Sequence, residues 1–385
     1  MILAYVGGYD PAYPRNSVLR TGLSRLGVTL HPLFVPRRAG VIARGAALVA
    51  AVARLDPAPD VVLVAEFCHK DLPAAWLAAR RARAVLAADP LISRVDTMVG
   101  EWGHYGPGSL DAWACAKWDR VAFRWPAVVV ADTEVHARRF AGAADRIPFP
   151  VVYVGADDAF FDLPDVEPTP SPFTILYVGG FLPLHGMGTI LGAAESLLAR
   201  GRDDLEFELI GDGIQHAAAR VRAAERGLTN VRFVGRRPID ELPARMFRAH
   251  VVLGVFGEGG EAGRVIPNKV SQGLAAGRCV VTGDTEAARE LLTNGGDAVL
   301  VPPGDPEALA DALRMLADDA ALRTRIAGAG RALARRALTP EAVARQLLVA
   351  LGARKIAQAQ PALRVARVAP QPTLAPPVPI SPAGA

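Results

Sequence analysis

The stretch richest in groups that could do chemistry is Val255–Gly277, VFGEGGEAGRVIPNKVSQGLAAG. An apolar strand runs into a glycine-rich loop that carries Glu258 and Glu261. Arg264 follows, and Pro267–Asn268 lead a helix expected to start near Lys269. A helix N-terminus offers unbonded N–H groups and the positive end of the backbone dipole. Two cations bracketing that end, Arg264 and Lys269, suit a diphosphate. Gln272 stands at i+3 from Lys269, on a neighbouring part of the helix face, where its amide is expected to meet a ribose hydroxyl. An exposed loop with solvated charges would hold similar residues, but Pro-Asn-Lys has no evident packing purpose.

Other strand ends are glycine-marked. Tyr177–Gly188, YVGGFLPLHGMG, places Gly180 and His185 in an irregular loop before a helix, and it does not fit GxGxxG. LIGDG ends the next strand with Gly211 and Gly213, and VRFVGRR ends the following one with Gly235 and Arg236. A ligand lying along these carboxyl edges would meet them in turn. In the first half, Gly7–Gly8 end the first strand, and a polar loop leads to Arg15 and Asn16, where Asn16 could equally cap a helix. Three further polar clusters occupy strand ends: His69 with Asp71; Asp89 with Ser93 and Asp96; and Asp132, Thr133, Glu134 and His136. Asp132 also fits a helix cap, and His69 a satisfied structural histidine.

These groups need elements to hold them. Strand-like runs at Ile2–Val6, Asp60–Ala65, Ala84–Ala88, Ala127–Ala131 and Val151–Val154 alternate with Ala-rich helical stretches such as Val41–Leu55 and Leu72–Arg83. Short, wholly apolar strands followed by helices are what a parallel sheet buried on both faces requires. Gly155–Phe173 is acidic and Pro-rich and reads as a connection. The pattern then restarts with strands at Thr174–Val178, Glu206–Ile210, Val231–Val234, Val251–Val255, Cys279–Thr282 and Ala298–Val301. Helices are expected between them at Thr189–Ala199, Ile214–Arg226 and Lys269–Ala276. The expectation is α/β: two Rossmann-like, doubly wound domains facing across a cleft, over 1–155 and 173–355, joined by a linker over 156–172. Residues 356–385 are Pro/Ala-rich and read as a disordered tail.

Composition agrees. The chain has 385 residues, enough for two α/β cores, and only 6% aromatics, which favours helices on parallel sheet over a sandwich. The net charge of +4 is uneven: residues 1–150 hold 18 basic and 13 acidic side chains, a balance of +5. That suits an anionic ligand or an acidic membrane face, and Arg80, Arg81 and Arg83 offer a peripheral contact to the latter. No long basic run with interleaved aromatics speaks for nucleic acid. Cys68, Cys115 and Cys279 are scattered, and the seven histidines show no ligand spacing, so neither disulfide nor metal is expected. The start, MILAYVGGYD, reads as a strand rather than a leader, so a cytoplasmic location is expected.

Read together, YVGGFLPLHGMGTIL, ELIGDG, VRFVGRRPIDELPARMFRAHVVLGVF, RVIPNKVSQGLAAGRCVVTGDTEAAREL and LVPPGDPEALADAL resemble the donor-binding domain of GT-B glycosyltransferases of family 4, the retaining group 1 transferases. The resemblance spans about residues 173–350. YVGGYDPAYPRNSVLRTGL, ADPLISRVDT and VVVADTEVHARRF are similar, more loosely, to the family's acceptor-side domain. It implies a nucleoside-diphosphate sugar as co-substrate, no cofactor or metal, and a glycan, lipid or small-molecule acceptor. A monomer or homodimer would serve.

The departures are specific. Where such enzymes carry an Arg and a Lys after the first donor-domain strand, this chain has Gly180 and His185. In place of the Glu-x7-Glu pair it has Arg264 and Gln272. The resemblance therefore puts the cationic role on Arg264 and Lys269, with help from His185, and donor contacts on Gly8, Arg15, Asn16, Gly211, Gly213, Gly235, Arg236, Asn268 and Gln272. The family's histidine near the donor sugar corresponds to Asp89, or to His69 next door. A catalytically silent sugar-nucleotide binder, or a GT-B-like epimerase, is the competing expectation.

Overall fold

In the computed structural model, residues 1–144, 149–164, 168 and 172–359 are described. The apolar runs form two parallel sheets. The first contains β1 (Ile2–Gly7), β2 (Thr29–Phe34), β3 (Val61–Val64), β4 (Val85–Ala88) and β5 (Val128–Val129), in the order β2-β1-β3-β4-β5. The second contains β6 (Phe173–Gly179), β7 (Leu205–Gly211), β8 (Val231–Gly235), β9 (Val251–Leu253), β10 (Cys279–Gly283) and β11 (Val299–Val301), in the order β11-β10-β9-β6-β7-β8. Central strands such as β3 (VVLV) and β10 (CVVTG) are buried at every position because helices cover both faces.

The strand order decides where a ligand can sit. In the first sheet successive crossovers go to opposite sides of β1, and in the second to opposite sides of β6. The crevices β1/β3 and β6/β9 are therefore the switch points, and ligands of open α/β sheets bind beyond the carboxyl ends there. The two sheets point those ends at each other.

Three expectations need correction. Val151–Val154, expected as a strand, makes only an isolated bridge from Val151 to Ala131. β2 was not anticipated: its sequence, TLHPLF, contains a proline and is only partly buried. Proline is tolerated there because β2 is an edge strand. The second domain also does not keep the chain's last helix. Pro340–Ala359 crosses back, and its Val343, Ala344, Leu347, Ala350 and Leu351 complete the core of the first domain. Helix Pro14–Arg25 receives it so closely that a Cβ on Gly22 would lie 1.9 Å from the Pro340 carbonyl oxygen. The linker includes a short helix, Asp158–Phe161, whose Phe160 is buried in the underside of the second domain. Most of the expected tail, from residue 360 on, lies outside the described residues.

Candidate active site

A cavity of about 610 Å³ lies between the sheets, within the range of small-molecule sites. The first domain contributes Tyr13, Phe67, His69, Arg94 and Glu101, among others. The second contributes Gly179, Gly180, His185, Glu261 and the stretch Val265–Lys269 with Gln272.

The helix Asn268–Ala275 opens onto this cavity. Pro267 at its N-cap has no side-chain acceptor, so the first-turn N–H groups are not capped by a side chain. Lys269 sits in this first turn and is 5% exposed, yet its Nζ has no hydrogen-bond partner. Its Nζ lies over the Tyr177 ring, 4.3 Å from the centroid. Burial drives its pKa well below the ordinary lysine value. Gly179, at the end of β6, makes room for it: a Cβ there would lie 2.6 Å from Nζ and 2.6 Å from the Tyr177 hydroxyl. A buried lysine without a counter-charge is costly, and an anion entering the cavity would relieve that cost. Gln272 is 4% exposed on the same wall, which Asn268 shares with Tyr13 of the first domain.

His185 lines the cavity as a neutral ring, not as the expected cation. Its Nδ1 accepts from the Tyr177 hydroxyl at 2.7 Å and from the Leu182 N–H at 3.2 Å. Burial, with the nearby Lys269 charge, pushes its pKa well below the ordinary histidine value. Gly180 is on the wall as expected.

Arg264 is elsewhere engaged. Its guanidinium pairs with Asp96 of the first domain at 3.1 Å and lies 3.7 Å from Glu261, lining a neighbouring recess instead of the main cavity. Its carbonyl accepts from the Thr133 hydroxyl at 2.6 Å. In this arrangement Arg264 ties the domains together, because a carboxylate from the opposite domain reaches it first.

Asp89 and Arg15 are both corrected. Arg15 Nε and Nη2 contact the two Asp89 oxygens at 2.7 and 3.1 Å, and Arg15 Nη1 donates to the Val152 and Tyr153 carbonyls. The pair is 0% and 1% exposed and off the cavity wall, a bidentate brace between the two ends of the first domain. Asn16 is also internal: it donates to Asp10 O and Glu66 Oε1 and accepts from the Tyr5 hydroxyl. Gly211 and Gly213 stand behind the wall, packed against the Gly179 and Gly180 carbonyls. Gly235, the last residue of β8, has a left-handed backbone, and Arg236 is exposed away from the cavity. Gly8 lines a smaller side pocket.

His69 does line the cavity. Its Nε2 donates to the Ile92 carbonyl at 3.1 Å, its Nδ1 has no partner, and burial lowers its pKa to about 3. It is a neutral ring with one free lone pair. Sequence reasoning overlooked Glu101, at the end of a π-helical turn, Asp96–Glu101. Its Oε1 accepts from the Leu184 N–H across the domains, its Oε2 is unpartnered, and burial raises its pKa to about 7. No strand end or repeat marks this turn in the sequence, so nothing flagged it. Among the described residues no group of three or more His, Cys, Asp or Glu could hold a metal ion.

The family model for "Glycosyl transferases group 1" matches residues 172–319, the β6–β11 sheet and most of its helices. Those residues are similar to the domain that this model describes. The chain is 32% identical over 166 residues to the phosphatidyl-myo-inositol mannosyltransferase of Mycobacterium leprae, covering 42% of each chain. It is 33% identical over 193 residues to the putative colanic acid biosynthesis glycosyl transferase WcaI of Escherichia coli, covering 49% of this chain and 44% of that one. The matches thus span less than half the length of either relative. Both domains together resemble HepE of Anabaena, solved in complex with UDP-glucose, with a TM-score of 0.67 at 17% identity over 91% of this chain and 99% of that one. The two-domain α/β architecture with facing sheets is therefore that of the GT-B fold. No helix among the described residues is long and apolar enough to cross a membrane.

Proposed function

We propose that the chain transfers a sugar from a nucleoside-diphosphate sugar to an acceptor hydroxyl, with the diphosphate at the N-terminus of helix Asn268–Ala275. One observation carries this reading: the buried, unpartnered Lys269 amine in the first turn of that helix, on the wall of the interdomain cavity, which an incoming diphosphate would hold in its charged form. The complexes of HepE with UDP and UDP-glucose support a nucleotide-sugar donor.

In the proposed reaction the bond from the anomeric carbon to the β-phosphate oxygen breaks as the acceptor oxygen bonds to that carbon on the same face. The acceptor proton passes to the departing phosphate. Lys269 and the helix amides stabilise the charge that gathers on this leaving group. The neutral His69 and the unpartnered Glu101 oxygen would hydrogen-bond the sugar, a role that the resemblance left between Asp89 and His69. Enclosure between the domains keeps water from the anomeric carbon.

One observation favours a silent binder instead: Arg264, the second expected cation, is taken by Asp96. A thermal-shift screen against UDP-, GDP-, ADP- and TDP-sugars identifies the donor base, since a ligand of the folded state raises the melting temperature. NMR of the product formed from the stabilising donor, with and without EDTA, then reads anomeric configuration and metal dependence. The proposal expects retention and no effect of EDTA. Stabilisation with neither transfer nor hydrolysis would leave the silent binder standing.

A further inference from the structure

Acids and cations are unevenly matched on the wall of the interdomain cavity. Asp132 is held by His136, and Glu101 and Glu261 also line the neighbouring recess that contains Arg264. Arg37 and Arg94 line the cavity from the first domain. Arg37 Nε donates to the Gly8 carbonyl, a neutral partner. Arg94 is less engaged still: its Nε is buried without a hydrogen-bond partner, and no ion pair among the described residues includes it.

The turn that carries Arg94 explains this. Asp119 reaches the turn, but one of its oxygens accepts from the Arg94 N–H and the other from the Val95 N–H and the Ser93 hydroxyl. Both oxygens are thus used by backbone and hydroxyl donors, and the Arg94 side chain is held at the cavity without a counter-charge. It stands on the side of His69: after burial, the Arg94 charge is what most opposes protonation of that ring, and Arg37 adds to it. The cavity's free acid lies elsewhere, since the charges that act on Glu101 are those of Glu261 and Arg264. The cavity therefore presents Lys269 on one domain and an unpaired guanidinium on the other. A planar guanidinium with free donors matches a carboxylate through two parallel hydrogen bonds.

We propose that the transferred sugar is acidic: its ring carboxylate pairs with Arg94, its diphosphate lies at Lys269, and His69 accepts from a neighbouring ring hydroxyl. Arg94 is then a specificity-determining residue, because a neutral sugar would cover the guanidinium and leave it unmatched. The inference rests on the glycosyltransferase reading, since it assigns the far end of the same donor.

Isothermal titration on the full chain tests it with donors that differ only in a carboxylate for a hydroxymethyl group. UDP-glucuronate is compared with UDP-glucose, and GDP-mannuronate with GDP-mannose, beside UDP and GDP alone. For the nucleotide that binds, the acidic donor should bind about ten-fold more tightly than the neutral one, or better. Arg94→Gln should abolish that preference and leave the affinity for the free nucleotide unchanged. Arg94 is half-buried and its Nε bonds nothing, so the variant should melt as wild type does. Equal affinities for acidic and neutral donors, or a preference that survives Arg94→Gln, overturn the proposal and leave the donor site standing. Saturation-transfer NMR with methyl β-D-glucuronide, in the presence of the nucleotide, distinguishes the other source of a carboxylate. Arg94-dependent binding of that glycoside, with no advantage for the acidic donor, would put the anion on the acceptor and also overturn the proposal. Binding of neither nucleotide in any form would remove the donor reading and this inference together.

Discussion

At the scale of single residues, environment separates side chains that the sequence presents as equals. Lys269 and Arg264 are both cations flanking one helix start, but only Lys269 is left without a carboxylate. Asp89 and His69 both follow strands of the first sheet, but Asp89 is consumed by Arg15 while His69 faces the cavity. Breaking a buried ion pair strands the partner charge and costs about 3–5 kcal/mol. Asp89→Asn is therefore expected to lower the urea midpoint severely, with any activity lost along with the fold. A variant of undiminished stability that no longer transfers sugar would return Asp89 to the catalytic site.

At the scale of elements, the sequence was legible where its pattern was local. Apolar runs such as VVLV and FTILYVG marked ten of the eleven strands because both faces of each sheet are covered. The edge strand TLHPLF was hidden by its proline and its partial exposure. The helix Pro340–Ala359 was assigned to the wrong domain, because an apolar face says that a helix packs and not against what. The Gly-ended strands were read as donor contacts, yet Gly211 and Gly213 act one layer back. At φ 133° and 153° they let β7 pass the end of β6, and a Cβ on Gly213 would lie 1.6 Å from the Gly180 carbonyl oxygen. Gly213→Ala should cost about 1–3 kcal/mol in denaturant titration. It should also weaken nucleotide binding, since the displaced Gly179–Gly180 segment roofs Lys269. Stability and affinity both at wild-type level would show that this packing is dispensable.

At the scale of the whole molecule, the domains are held together by charged groups rather than by a shared apolar core. Glu290 of the second domain accepts from the Glu134 and Val135 N–H groups, closing the N-terminus of helix Glu134–Ala144 in the first. Arg264 meets Asp96, and His136 stands between Asp132 at 2.6 Å and Glu261 at 3.3 Å. Burial alone would discharge His136, but the two carboxylates override it and raise its pKa to about 10. Apart from the local Asp132–His136 pair, such contacts are invisible in one dimension, because each joins residues more than a hundred positions apart, although Glu261 and His136 were both visible as polar groups at strand ends. The raised folded-state value sets the sign: stabilisation is full below the unfolded value near 6.5 and fades as pH rises toward 10. The melting temperature should fall over that window, and His136→Asn should flatten the slope while costing about 3–5 kcal/mol at pH 6. An unaltered slope in the variant would remove His136 from the interface account.

The central claim is that the buried Lys269 amine awaits a diphosphate. Isothermal titration of the stabilising nucleoside diphosphate into wild type and Lys269→Met, with parallel melts of the unliganded proteins, tests it most directly. A charge-assisted contact is worth about 1.5–3 kcal/mol, so the variant should bind roughly 10–100-fold more weakly. Its unliganded melting temperature should hold or rise, because a buried polar group without a partner has been removed. Unchanged affinity, or a variant that loses stability while binding as before, would contradict the account.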